Sequence, residues 1–147
     1  MLPDELLLDT SGLLCLFDKA DFRHPEAAQF FKQTNRLLIT NYVLAEFVPL
    51  SQTRGFKRDD SLNFLIDLCK LPRLELIWID ADLHNQAINL LVNRLDKTYS
   101  LCDEVSFIIM RERGLNEALT TDKDFEQEGF IKLLKSFYMF ISVLIVY

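Results

Sequence analysis

Short apolar segments alternate with longer amphipathic ones along this 147-residue chain, and this order is the feature that most restricts its fold. The apolar runs, each suited to a buried strand, are residues 6–8, 37–39, 74–79, 118–120 and 130–134. The segments with helical periodicity are residues 12–20, 25–34, 41–53, 59–70, 82–95, 101–113 and 123–128. Strands that alternate with helices are typical of α/β proteins with parallel sheets. We therefore predict an α/β fold with a mainly parallel sheet of four to five short strands.

Single residues refine this pattern. Pro49 predicts a kink or an end in the third helix, and Gly114 predicts the C-cap of the helix over 101–113. Trp78 lies within the apolar run 74–79 and is expected in the core rather than on a surface that stacks with bases.

Composition and charge exclude several classes of protein. Half of the residues are hydrophobic and only four are Gly and four Pro, which excludes a disordered or collagen-like chain. Three widely spaced Cys do not suit a disulfide scaffold or a Cys-type zinc site, and with the lack of a secretion signal they favour a reducing cytoplasm. The net charge of -6 argues against binding to nucleic acid by bulk charge alone. It leaves open a nuclease whose acids are concentrated in one pocket.

Two carboxylates stand at or just beyond the carboxyl ends of predicted strands. Asp9 follows the run 6–8, and Asp122 follows the run 118–120 by one residue. In open parallel sheets, ligands bind beyond the carboxyl ends of the strands, so both are candidate site residues. Each also has a purely structural explanation, because Asp9 suits an Asx turn and Asp122 suits the N-cap of the short helix after it.

Two further carboxylates lie within predicted helices. Glu46 has Tyr42, Val43 and Leu50 as helical neighbours, so it lies on or beside an apolar face, where an unpaired charge is costly. The alternative for Glu46 is a side chain at the helix edge that tilts into water. Asp103 suits a capping box with Ser100, which would explain it without any function.

A convergence of these four acids would require a cation. Carboxylates within ~5 Å of one another repel by a few kcal/mol per pair at an effective dielectric near 20. Ligands that are all oxygen favour Mg²⁺ or Mn²⁺, and the sequence has no set of His and Cys suited to zinc. A divalent cation held by carboxylates is suited to phosphoryl chemistry.

Four segments of the chain, in order and spacing, resemble the blocks of a PIN domain of the VapC-like toxin branch. They are LLLDTSGLLCLFDKAD, TNYVLAEF, YSLCDEVSFIIMRERG and ALTTDKDFEQEGF, and the similarity covers residues 5–134. The resemblance implies a three-layer α/β/α fold and a metal-dependent endoribonuclease that leaves 5′-phosphate and 3′-hydroxyl ends. It also implies an RNA substrate, a homodimer and a small antitoxin that blocks the site.

The resemblance assigns roles to particular residues. The acids that would bind Mg²⁺ or Mn²⁺ and carry catalysis are Asp9, Glu46, Asp103 and Asp122. The residues that would support them are Thr10, Ser11, Thr120 and Asp124. The alternative to a toxin nuclease is a catalytically weak PIN-like module that binds RNA or a protein partner. A haloacid-dehalogenase-like phosphatase is disfavoured because it needs a second Asp two residues after the first, where this chain has Ser11.

Two regions complete the prediction. Arg54, Lys57 and Arg58 form the densest basic patch, which suits either contacts with RNA phosphates or a solvated loop. We assign the PIN-like nuclease domain to residues 1–135 and an apolar extension to residues 136–147. The extension carries no charge, is too short to span a bilayer, and suits an added edge strand or an oligomer contact.

Overall fold

The apolar runs form the strands of one parallel sheet in the computed structural model, which describes residues 4–136. The strands are β1 (Glu5–Leu8), β2 (Arg36–Thr40), β3 (Leu74–Ile77), β4 (Glu117–Leu119) and β5 (Ile131–Lys132). Their order across the sheet is β3-β2-β1-β4-β5, and every neighbouring pair is parallel. The prediction of a mainly parallel sheet with four to five short strands is confirmed.

Seven helices connect the strands within the described residues. They are α1 (Thr10–Phe17), α2 (His24–Gln33), α3 (Asn41–Thr53), α4 (Arg58–Cys69), α5 (Ala81–Val92), α6 (Leu101–Arg113) and α7 (Lys123–Gln127). Every predicted helix is present, with ends that differ by up to three residues. Pro49 lies inside α3 and does not end it, whereas Gly114 caps α6 with a φ of 66°. No helix in this part of the chain is long and apolar enough to cross a membrane.

Helices cover both faces of the sheet, as the three-layer fold requires. Leu6 and Leu8 of β1 pack in one apolar cluster with Phe47 of α3, whereas Leu7, between them, packs with Phe107 of α6 in another. Because successive side chains of a strand point to opposite faces, the two clusters are the two layers of core on either side of β1. This arrangement confirms the three-layer α/β/α architecture.

Trp78 is a correction to the predicted core. The strand ends at Ile77, so Trp78 follows β3 at the edge of the sheet, and 72% of it is exposed. Its neighbours Ile77 and Ile79 pack against a core cluster, whereas Trp78 belongs to none of the three core clusters that the described residues form.

The strand order places a crevice between β1 and β4. From β1 the chain builds the sheet outward through β2 and β3, and it then returns to build β4 and β5 on the other side of β1. Connections leave β1 and β4 in opposite directions at such a switch point, which opens a crevice at the carboxyl ends of the two strands. The residues that follow β1 and β4 therefore lie where a ligand is expected.

Candidate active site

Asp9 is held at the end of β1 by two hydroxyl groups. It precedes α1 and is 5% exposed, and its Oδ2 accepts hydrogen bonds from Thr120 Oγ1 at 2.7 Å and from Ser11 Oγ at 3.2 Å. The Asp9 side chain makes no capping hydrogen bond to the backbone of α1 in the part of the chain that the structure describes. The carboxylate of Asp9 is therefore directed across the crevice rather than used to begin its own helix.

The same hydroxyl groups connect the ends of β1 and β4. Thr120 Oγ1 accepts a hydrogen bond from the backbone N–H of Asp122 at 3.0 Å, and Ser11 Oγ accepts one from the N–H of Thr121 at 3.0 Å. Ser11 and Thr120, which the resemblance assigned to supporting roles, thus fix the position of Asp9 relative to the loop that carries Asp122.

Three more carboxylates converge beside this network. Oxygen atoms of Asp103, Asp122 and Asp124 all lie within 4.8 Å of one another, and all three side chains are half-buried. Asp103 comes from the start of α6, and the other two come from the loop after β4 and the first turn of α7. We call Asp9, Asp103, Asp122 and Asp124 the acidic site.

The structural explanations for two of these acids are also correct. Asp103 and Ser100 form a capping box with two bonds of 3.0 Å, and Asp122 caps α7 by accepting from the N–H of Asp124 at 2.9 Å. Asp103 and Asp122 each use one carboxylate oxygen to accept a capping bond, and the second oxygen of each is left for a ligand. Capping and membership of the cluster are therefore compatible, and the caps fix the orientation of both side chains.

The acidic site carries unneutralised negative charge. Burial raises the pKa of Asp9 to about 6, with smaller contributions from the charges of Asp122 and Glu46, against the stabilising hydrogen bond from Thr120. Burial also raises the pKa of Asp103 to about 7, with the charges of Asp9 and Asp122 adding to it. The pKa of Asp124 is raised by burial and by Asp122. Carboxylates that repel in this way form a site prepared for a cation.

Glu46 corrects one expectation. Its side chain is exposed, so the helix-edge alternative describes its exposure better than a position against an apolar face. Its negative charge nevertheless contributes to the raised pKa values of Asp9 and of Cys102, so Glu46 lies at the rim of the acidic site.

The remaining candidates occupy different places. Thr10 is 2% exposed, and its Oγ1 has no hydrogen-bond partner among residues 4–136. Arg54, Lys57 and Arg58 are all exposed between α3 and the first turn of α4. Of these three, Arg54 lines a cavity that Ser11 and Thr121 also line, next to the acidic site.

Gly12 positions the site, although the sequence pattern did not identify it. A Cβ atom at Gly12 would lie 1.9 Å from the carbonyl oxygen of Leu119, the last residue of β4. Only glycine therefore lets the first turn of α1 approach β4 closely enough for Asp9 to meet Thr120. A glycine in the first turn of a predicted helix was the available signal, because glycine normally weakens a helix.

The donor set of the acidic site suits a hard divalent cation. Its ligand atoms are all carboxylate oxygens, and burial raises the pKa of the Cys102 thiol well above its usual range. Oxygen ligands of this kind favour Mg²⁺ or Mn²⁺ over zinc.

Comparisons with known proteins agree with this geometry. A family model described as PIN domain matches residues 6–130. Two proteins named 23S rRNA-specific endonuclease VapC20, from the CDC 1551 / Oshkosh and ATCC 25618 / H37Rv strains of Mycobacterium tuberculosis, are each 32% identical over 129 residues. The alignment covers 87% of this chain and 97% of each relative.

A solved structure supports the same assignment. The crystal structure of Mycobacterium tuberculosis VapC20, described as a Sarcin-Ricin loop cleaving toxin, matches with a TM-score of 0.77 and 27% identity, over 88% of this chain and 98% of that one. The chain belongs to the PIN domain family. It is a ribonuclease of the VapC-like toxin branch, which confirms the ribonuclease toxin predicted from the four sequence blocks.

Proposed function

We propose that the acidic site hydrolyses RNA phosphodiester bonds with the help of Mg²⁺ or Mn²⁺. The observation that carries this proposal is the convergence of three carboxylates, with oxygens within 4.8 Å, beside the buried Asp9. Asp9, Asp103, Asp122 and Asp124 would hold the cation directly. Glu46, at the rim, would lie outside this set of direct ligands. When bound, the cation supplies charge neutralisation at the attacked phosphate and activation of a water molecule.

The residues of the chain supply orientation. Thr120 and Ser11 hold the carboxylate of Asp9, Ser100 holds that of Asp103, and the first turn of α7 holds that of Asp122. Because these bonds fix the acids before substrate arrives, little reorganisation is needed when charge develops on the phosphate. The expected products carry 5′-phosphate and 3′-hydroxyl ends.

We propose a structured ribosomal RNA loop as the substrate. The support is the naming of the relatives as 23S rRNA-specific and, for the solved structure, as a toxin that cleaves the Sarcin-Ricin loop. A small antitoxin that blocks the acidic site, a homodimer and a cytoplasmic location complete the proposal, since a toxin that cleaves ribosomal RNA must be held inactive where ribosomes are.

Cleavage of a labelled RNA hairpin that contains the Sarcin-Ricin loop tests the proposed activity. We expect cleavage with Mg²⁺ or Mn²⁺, none with EDTA, and none with Asp122→Asn. Asp60→Asn, which removes an exposed carboxylate from the first turn of α4, is the matched control and should cleave normally. Cleavage that survives chelation would contradict the mechanism.

The alternative function, a catalytically weak module that binds RNA or a protein partner, makes a different prediction. Isothermal titration with Mn²⁺ would show a binding event in the wild type and a weakened one in Asp9→Asn under either hypothesis. Binding of metal and RNA without any cleavage of the hairpin or of total RNA would favour the alternative.

A further inference from the structure

A second cavity adjoins the acidic site. It has a volume of about 330 Å³ and is lined by Ser11, Arg23, Arg54 and Thr121. Ser11 and Thr121 also line the neighbouring cavity that contains Asp122 and Asp124, so the two cavities share one wall. One side of this wall is acidic, and the other side carries two arginines. These two positive charges lie beside the acidic site in a chain whose net charge is -6.

Arg23 is held in a fixed position within the cavity wall. Its side chain is 9% exposed, and its Nε and Nη2 donate to the two carboxylate oxygens of Asp21 at 2.9 and 2.8 Å. Its Nη1 donates to the carbonyl oxygen of Lys135 at 3.1 Å. These bonds use three of the five N–H donors of the guanidinium, and the remaining two are available to a ligand.

Arg54 supplies the positive charge that remains. It follows the last residue of α3 and is exposed, and its guanidinium makes no hydrogen bond or ion pair with any residue in the range 4–136. The charge of Arg54 helps to lower the pKa of Asp21, but the hydrogen bonds of that carboxylate are made with Arg23. The cavity therefore has one pre-oriented guanidinium and one unpaired guanidinium.

We propose that this cavity, which we call the arginine pocket, binds a backbone phosphate of the RNA that lies next to the scissile phosphodiester. The inference rests on the proposed function. The planar fork of an arginine matches the geometry of a phosphate, and contacts to phosphates position a nucleic acid without reading its sequence. A pocket volume of this order suits a nucleotide-sized group.

The chemistry of the neighbouring site favours RNA over an acidic protein segment as the occupant. The acidic site repels an RNA backbone unless a cation is present, so substrate affinity has to come from elsewhere on the surface. If Arg23 and Arg54 hold one phosphate of the RNA, the next phosphodiester along the strand would lie against the acidic site. Such positioning lowers the entropic cost of bringing the reacting groups together.

Binding measured without cleavage tests the arginine pocket. Fluorescence anisotropy with the full chain, the RNA hairpin and EDTA present gives the dissociation constant and its dependence on salt. We expect Arg54→Ala to weaken binding about 5- to 10-fold and to reduce the slope of log K against log[salt] by about 0.7, the value for one phosphate of a single strand. Arg54→Lys should recover part of the affinity.

A matched variant and a modified RNA make the test specific. Arg36→Ala removes the same charge from the first residue of β2, where Arg36 pairs with Glu5 and Glu75 at the opposite end of the sheet. It should leave binding unchanged. RNAs in which one phosphate at a time is replaced by a neutral methylphosphonate should lose affinity for the wild type at one position near the cleavage site. That loss should disappear in Arg54→Ala, since the two changes remove the same contact.

The outcomes separate this inference from the proposed function. If the wild type cleaves RNA but Arg54→Ala and Arg36→Ala bind equally well, the proposed function stands and the arginine pocket is overturned. The arginine pocket would also be overturned if each methylphosphonate reduced the RNA affinity of the wild type and of Arg54→Ala equally. The remaining candidate occupant would then be an acidic segment of a protein partner. If the wild type neither binds nor cleaves RNA, both proposals fail.

Discussion

At the scale of single residues, the most informative group is a buried carboxylate that its surroundings do not neutralise. Asp9 is 5% exposed, and its hydrogen bonds come from two hydroxyl groups rather than from a cation. Evolution of a stable fold alone would place an apolar or amide side chain here, because a buried charge without a positive partner lowers stability. The cost at this position indicates that the carboxylate serves the chemistry of the site.

Asp9→Asn should separate stability from activity. The amide removes a buried negative charge and can still accept the bond from Thr120, so the metal-free protein should be as stable as the wild type or more stable. A gain of about 1 kcal/mol would raise Tm by roughly 4 °C. Cleavage should fall by about 10²-fold or more. Differential scanning calorimetry in EDTA and the hairpin assay check both results, and a large drop in Tm would contradict the repulsion among the acids.

The raised pKa values predict how stability depends on pH. Asp9 with a pKa of about 6 and Asp103 with a pKa of about 7 hold protons in the folded state that the unfolded chain releases near pH 4. Between pH 4 and pH 7 the folded state therefore binds more protons, and the free energy of unfolding falls as pH rises. For Asp9 the loss is at most about 3 kcal/mol.

Thermal melts between pH 5 and pH 8 check this dependence. In EDTA, Tm should decrease as pH rises through 6 and 7. With Mg²⁺ the decrease should be smaller or reversed, because the cation binds the ionised carboxylates of the folded state only. A metal-free Tm that rises over this range would contradict the raised pKa values of Asp9 and Asp103.

At the scale of elements, the contact between α1 and β4 decides whether the site forms. The N-terminal turn of α1 lies directly against the end of β4, where the N–H of Asp9 also donates to the carbonyl oxygen of Leu119 at 3.2 Å. Gly12 is the residue that allows this approach, because any Cβ there would overlap the same carbonyl. The start of α1, which follows β1, therefore packs closely against the end of the neighbouring strand β4.

Gly12→Ala should destabilise the protein, although alanine is the better helix former. On propensity alone the change would stabilise α1 by about 1 kcal/mol, but a Cβ 1.9 Å from Leu119 O forces α1 away from β4. We expect a net loss of about 1–3 kcal/mol and weaker binding of Mn²⁺, since Asp9 moves away from Thr120. Urea denaturation and titration measure the two effects. Asn63→Ala, at an exposed position of α4, is the control and should be neutral or stabilising.

At the scale of the whole molecule, the strand order brings the site together. The acids come from positions as far apart in sequence as Asp9 and Asp122, and they meet because β1 and β4 are neighbours at the switch point of the sheet. The last described residues close the same region, since Ser136 donates to the carbonyl oxygen of Thr121 at 2.9 Å and Lys135 accepts from Arg23. The packing of the domain therefore continues through Ser136.

A chain that ends at Ser136 should fold and keep the acidic site. Residues 137–147 of the apolar extension lie outside the described residues, whereas the four acids and the hydroxyl groups that hold Asp9 lie within them. We expect the truncated protein to bind Mn²⁺ like the full chain and to differ from it in oligomeric state or solubility on size-exclusion chromatography. Unfolding of the truncated protein would show that the extension belongs to the core and that the predicted boundary near residue 135 is wrong.

The sequence by itself determined the elements and their order. Hydrophobic periodicity and capping residues are local signals, so the strands, the helices and caps such as Gly114 could be predicted within a few residues. The position of Asp9 and Asp122 after strands followed from the same signals, and the resemblance to PIN domains named the acids. The reliance on local signals also explains the error at Trp78, because the local sequence pattern does not distinguish an apolar residue in the core from one at an exposed edge of the sheet.

Only the tertiary structure decided which side chains share a site and what each of them contacts. Asp124 joins Asp103 and Asp122 at ligand distance, whereas Glu46 is exposed at the rim. The approach at Gly12 likewise depends on residues far apart in sequence, because long-range packing sets the distance between α1 and β4. Burial depends on all layers of the fold together, and it is burial that raises the pKa values of Asp9 and Asp103 and prepares the acidic site for a cation.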